Sequence, residues 1–129
     1  MPRLTGVDHI AITVRDLDAS VAFYERLLGT PPVGEIEDGA LRRRLFALPN
    51  GTNLGLTQHE LPAPGDFTPY APGLDHLGLA VDGREELERW AQHLTSMGVE
   101  HGGLVEAPYG IALSFTDPDG TALELFVGA

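Results

Sequence analysis

The chain has 129 residues, 43% of them hydrophobic, and 19 acidic side chains against 8 basic ones give a formal net charge of -11. That charge repels phosphate backbones, and no segment interleaves aromatic with basic residues, which argues against nucleic acid as a partner. With no cysteine in the chain, disulfides, thiolate ligands and cysteine nucleophiles are excluded together, so any metal would be held by histidine and carboxylate.

At the N-terminus, Met1-Pro2-Arg3-Leu4-Thr5-Gly6 lacks the apolar stretch of a signal peptide, and no apolar run is long enough to span a bilayer. A single cytoplasmic domain with no membrane partner is expected. Strict alternation from His9 to Val14 predicts a strand with Ile10, Ile12 and Val14 on one face and His9, Ala11 and Thr13 on the other. Asp16 or Asp18 can cap a following helix, in which Leu17, Val21, Tyr24, Leu27 and Leu28 recur at helical spacing until Gly29. Pro31-Pro32 then forces extended chain, and three strands are predicted near residues 33–37, 40–48 and 52–58, separated by the hairpin dipeptides Asp38-Gly39 and Asn50-Gly51. Residues 59–73 contain Pro62, Pro64, Pro69 and Pro72 and read as a linker.

After the linker the pattern restarts. A strand over 74–81 precedes a helix with Leu87, Trp90, Ala91, Leu94 and Met97 on one face, ended by Gly98, and strands follow near 100–106, 111–117 and 121–127. Val7-Asp8-His9-Ile10-Ala11-Ile12-Thr13-Val14 returns as Leu74-Asp75-His76-Leu77-Gly78-Leu79-Ala80-Val81, and the turn at Pro49-Asn50-Gly51-Thr52 returns as Pro118-Asp119-Gly120-Thr121. The chain is thus two β-α-β-β-β modules, about 5–58 and 74–129.

The duplication carries chemistry. His9 and His76 occupy equivalent places, and Glu124 shares a strand face with Ala122 and Phe126. Apolar backs belong against helices, so His9, His76 and Glu124 are expected to face a common cavity, with Thr13, Ala80, Ser114 and Phe126 lining it for a small organic substrate. Two imidazoles and one carboxylate form the facial triad that favours Fe(II), with Mn(II), Co(II), Ni(II) or Zn(II) as other occupants. Tyr109, ahead of the seventh strand, could hydrogen-bond a substrate oxygen. Alternation sends Arg43 to the face opposite Arg42 and Arg44, and the run is expected to be solvated or paired with acids such as Glu35 and Glu37. His93 and His101, on a helix and an outer strand, read as surface residues.

Asp-His opening each module, Phe23-Tyr24 with Leu28-Gly29 at the end of the first helix, and Asp117-Pro118-Asp119-Gly120 before Leu123-Glu124-Leu125 together resemble the vicinal oxygen chelate superfamily. This is the family of glyoxalase I, bleomycin-resistance proteins and extradiol dioxygenases. The resemblance implies an α+β fold in which the two modules form a pseudo-symmetric eight-stranded open barrel around a central cavity, and a homodimer. It implies a metal-dependent enzyme that chelates adjacent oxygens of its substrate, as in extradiol ring cleavage. A lyase or isomerase of the glyoxalase type, or a protein that sequesters an antibiotic without turnover, are the alternatives. Glyoxalase I has a fourth ligand where this chain has Gly55, so the three-ligand dioxygenase pattern fits better. His59, 17 residues before His76, would by the same resemblance move protons.

Overall fold

In the computed structural model, which describes all 129 residues, both halves of the repeat fold into the same β-α-β-β-β unit. The first contains β1 (His9–Thr13), α1 (Leu17–Leu28), β2 (Gly34–Glu37), β3 (Leu41–Ala47) and β4 (Asn53–His59). The second contains β5 (Leu77–Ala80), α2 (Arg84–Ser96), β6 (Leu104–Ala107), β7 (Gly110–Thr116) and β8 (Ala122–Gly128). The compact units are Met1–Pro64 and Gly65–Ala129. Their strands make two separate four-stranded sheets, β1-β4-β3-β2 and β5-β8-β7-β6, rather than one closed barrel. In each sheet the first strand pairs parallel with the last, and the other three form an antiparallel meander.

The parallel pair needs a crossover, and the helix supplies it while covering one face of the sheet. In the first unit Leu17, Tyr24 and Leu27 of α1 are buried, as are Ile12, Val14, Phe46, Leu54 and Leu56 of the strand segments. In the second unit Leu87 and Leu94 of α2 and Leu113, Phe115, Leu123 and Leu125 form the corresponding core. Burying each such side chain contributes about 1.5–3 kcal/mol, which fixes the face each strand turns to its helix. Helix α1 starts where Asp16 accepts a hydrogen bond from the Ala19 amide at 3.1 Å and Gln58 Oε1 accepts from the Leu17 amide at 2.8 Å. It ends at Gly29, whose left-handed backbone (φ 75°) lets its amide donate to Glu25 O. Asp16, not Asp18, is therefore the cap.

Two expected elements are shorter than the sequence pattern suggests. Strand β6 begins at Leu104 rather than near 100, because Gly102-Gly103 breaks the extended run and Gly103 has φ 71°. His101 consequently lies in a loop, where its ring contacts Thr95 Oγ1 at 3.1 Å and accepts from the Gly103 amide at 3.1 Å. It ties that loop to the end of α2 rather than sitting on an outer strand. Strand β5 begins at Leu77, leaving His76 one residue ahead of it. His93, half-buried, packs edge-on to Trp90 with ring centroids 5.5 Å apart. At the other end of the pattern, β4 extends through His59, so the linker starts one residue later than expected.

Arg42 and Arg44 lie on the helix-covered side of the first sheet among acids, as expected. Arg44 Nη2 donates to Glu37 at 2.8 Å and Arg44 Nε lies 3.6 Å from Glu35, while Arg42 reaches Glu37 and Asp18 at 3.6 Å each. The hydrogen bond from Arg44 and its charge hold the Glu37 carboxyl below its ordinary 4.5. A depressed carboxyl pKa adds stability that is present above the unfolded value and lost as pH falls through the folded one. A carboxyl-carbon NMR titration should place the Glu37 midpoint below 4.5, and Arg44→Gln should move it back up; an unchanged midpoint would show that the pair is not formed in solution.

Gly110 sits where the tight turn after β6 enters β7. Its φ is 153°, and a Cβ there would lie 2.3 Å from Val127 O and 2.4 Å from Phe126 Cζ. Gly110→Ala should cost at least about 2 kcal/mol through backbone and ring displacement. Chemical denaturation is the measurement, and a loss within experimental error of zero would contradict the close approach.

Candidate functional site

The helix covers one face of each sheet, so the residues that alternate away from it gather on the other. In the first unit, register pairs His9 with Asn53, Ala11 with Gly55 and Thr13 with Thr57, and continues into β3 as Ala47, Leu45 and Arg43. His9, Ala11 and Thr13 are exposed. In the second unit, register pairs Gly78 with Glu124 and Ala80 with Phe126, then Glu124 with Ser114 and Phe126 with Ala112. The face opposite α2 therefore carries Ala80, Ser114 and Phe126 beside Glu124, and the exposed Tyr109 ring stacks on Phe126 at 6.3 Å and 21°.

Equivalent rungs confirm the repeat in three dimensions. Ala11 pairs with Gly55 in one unit and Gly78 with Glu124 in the other. Gly55 is thus the structural counterpart of Glu124, as the turn alignment predicts.

Each histidine is held by the aspartate before it. His9 Nδ1 lies 2.7 Å from Asp8 Oδ1, and His76 Nδ1 lies 2.6 Å from Asp75 Oδ1. A carboxylate only accepts, so Nδ1 carries the proton and Nε2 keeps its lone pair in the neutral ring, the arrangement a metal ligand needs. In the second unit His76 Nε2 is 3.9 Å from Glu124 Oε2. Bonds of about 2.0–2.2 Å to one ion put two donors at most roughly 4.4 Å apart, so this pair is within range of a shared ion. The Asp75 hydrogen bond raises the His76 pKa above 6.5; partial burial opposes this, and the charges of Glu124 and Asp75 add to it. His76 and Glu124 border an open pocket of about 370 Å³ with Ser114, Thr116 and Ala122. No three His, Asp or Glu side chains of a unit form a group that could hold a metal ion.

His59 lies elsewhere on the first sheet. It is exposed, pairs with Leu41, and stands six residues along β4 from Asn53, the partner of His9, a separation of about 20 Å at strand rise. It borders a second open pocket with Glu37, Leu41, Arg42 and Glu60. The structure does not bring it to His9. The contacts of Asp8 and Asp75 with the histidines are not among the sequence expectations, although Asp-His in both copies is their visible signal.

A family model described as the Glyoxalase/Bleomycin resistance protein/Dioxygenase superfamily matches residues 6–125. The chain is 27% identical over 127 residues to "Putative ring-cleaving dioxygenase MhqA" of Bacillus subtilis (strain 168), covering 95% of this chain and 40% of that protein. It therefore spans less than half the length of that relative. It is 32% identical over 127 residues to "Uncharacterized protein YaeR" of Escherichia coli (strain K12), covering 95% of this chain and 96% of the other. A solved glyoxylase/bleomycin resistance protein/dioxygenase domain from Frankia sp. EAN1pec is similar with a TM-score of 0.90 and 31% identity, over 98% of this chain and 100% of that one. No helix is long and apolar enough to cross a membrane.

Proposed function

Because the chain belongs to the Glyoxalase/Bleomycin resistance protein/Dioxygenase superfamily, we propose that it is a divalent-metal-dependent enzyme that takes a small organic substrate through two adjacent oxygens. His9, His76 and Glu124 are the proposed ligands, with Fe(II) favoured, and ring cleavage is the proposed reaction. The observation that carries the reading is the matched pair of Asp-held histidines, one of them 3.9 Å from Glu124. Likeness to a relative named as a ring-cleaving dioxygenase supports the choice of reaction. A homodimer is the proposed assembly.

The donor set fits such an ion: two imidazoles with free Nε2 atoms and one carboxylate, without thiolate. When bound, the ion supplies Lewis acidity toward adjacent oxygens, and Fe(II) supplies redox capacity as well. The protein residues do the rest. Asp8 and Asp75 fix ring orientation and tautomer, so no reorganisation is needed on binding. Ser114, the cross-strand partner of Glu124, offers a hydroxyl to a substrate oxygen. Tyr109 and Phe126 present stacked rings, an apolar wall for a planar substrate with a phenol at its edge. His59, about 20 Å along β4 from the partner of His9, is proposed not as a ligand but as a group that moves protons at the substrate.

Metal content of protein purified without chelator is the test. About one ion per chain is expected, with Glu124→Gln lowering affinity by at least 100-fold and Asp75→Asn by about 10- to 100-fold, the usual effect of removing a carboxylate behind a ligating histidine. Unchanged metal content in Glu124→Gln, with the variant folded by circular dichroism, would sink the ligand assignment.

A further inference from the structure

Where the second unit offers a carboxylate, the first offers a cation. Gly55 is the counterpart of Glu124, and the position its Cβ would take lies 3.4 Å from Arg43 Cδ, 3.3 Å from Leu45 Cδ2 and 3.6 Å from Ala11 Cβ. The Arg43 stem therefore lies over the glycine. Its Nε donates to Thr57 Oγ1 at 2.7 Å, and Thr57 is only 2% exposed. A buried hydroxyl thus fixes the plane of the guanidinium and is itself satisfied by it.

Arg43 differs from its neighbours in its partners. Arg42 and Arg44 are paired with Glu37, Glu35 and Asp18 on the helix-covered side. Arg43 faces the other way, onto the surface that bears His9, and no carboxylate of its unit lies within ion-pair distance. Arginine has five N–H donors in a planar fork; one is used on Thr57, leaving both Nη groups. A positioned, half-buried arginine with its fork open matches a carboxylate, which accepts two parallel hydrogen bonds. Its rung, Arg43–Thr57, stands four residues along β4 from that of His9, roughly 13 Å at strand rise, and the stem leans back toward Gly55. That span suits a small molecule gripped at both ends.

We propose that Arg43, oriented by Thr57 and seated over Gly55, is the recognition group for a carboxylate on the substrate, so that the substrate class is a small organic acid. The proposal rests on the metal reading only for what happens at the other end of that molecule. It also gives Gly55 a physical role: a glutamate there would meet the Arg43 stem and pair with its charge instead of serving an ion.

The test uses metal-free protein and two probes of one shape, benzoate and neutral benzamide, followed through the NMR signals of the Arg43 Nε–H and the Thr57 amide. Benzoate should shift both saturably and benzamide should bind at least tenfold more weakly; Arg43→Gln should erase the preference. Arg43→Met, which keeps a stem over Gly55, carries the same expectation should Arg43→Gln fold poorly. Equal behaviour of the two probes, or a preference retained in the folded variants, would overturn the proposal. Mn(II) uptake by wild type and Arg43→Gln is measured separately. Benzoate selectivity without Mn(II) uptake would remove the metal reading and leave the anion site standing, whereas uptake without selectivity would remove the anion site alone.

Discussion

Everything about the candidate site depends on one constraint, the burial of a single face of each sheet under its own crossover helix. Parallel pairing of the first and last strands requires that helix, and Leu17, Tyr24 and Leu27, or Leu87 and Leu94, are fully buried or nearly so. A slip of one residue in β1 would place Ile12 and Val14 on the open face and His9 under the helix. Each slip would forfeit several kcal/mol of apolar burial, so the core enforces the direction in which the polar residues point. The chemistry is carried by residues that the core has no use for.

Duplication then gave the two open faces different contents on one frame. The second has Gly78 beside Glu124, leaving room for a carboxylate next to His76. The first has Ala11 beside Gly55, with an arginine stem over the glycine. Bulk and charge have moved together: small opposite acidic in one unit, small opposite small under a base in the other. The Asp-His pair has stayed in both, with nearly equal hydrogen-bond lengths of 2.7 and 2.6 Å. Ring orientation is the shared feature of the two halves, and the third polar group is where they diverge.

Much of this was legible in the sequence because strand alternation is a strict period. The faces of His9, Glu124 and Arg43 follow from it directly, as do the helices from their apolar spacing and the turns from Asn50-Gly51 and Asp119-Gly120. What alternation does not encode is which side chains find partners. Arg43 was grouped with its neighbours as solvated or paired, and only the contact with Thr57 separates it from Arg42 and Arg44. His101 falls within the strand expected near 100–106, whereas Gly102-Gly103 admits a backbone that breaks the ladder. Nor does alternation encode separation along a strand: His59 is on β4 six residues from Asn53, the partner of His9, and at about 3.3 Å per residue the two histidines are well apart.

The central claim is that His9, His76 and Glu124 hold one ion. Anomalous diffraction from crystals soaked in Mn(II) tests it most directly. The account predicts one strong peak bonded to the Nε2 atoms of both histidines and to the Glu124 carboxylate, at about 2.0–2.2 Å. Absence of a peak there, or a peak on Nδ1 with the aspartates displaced, would contradict it.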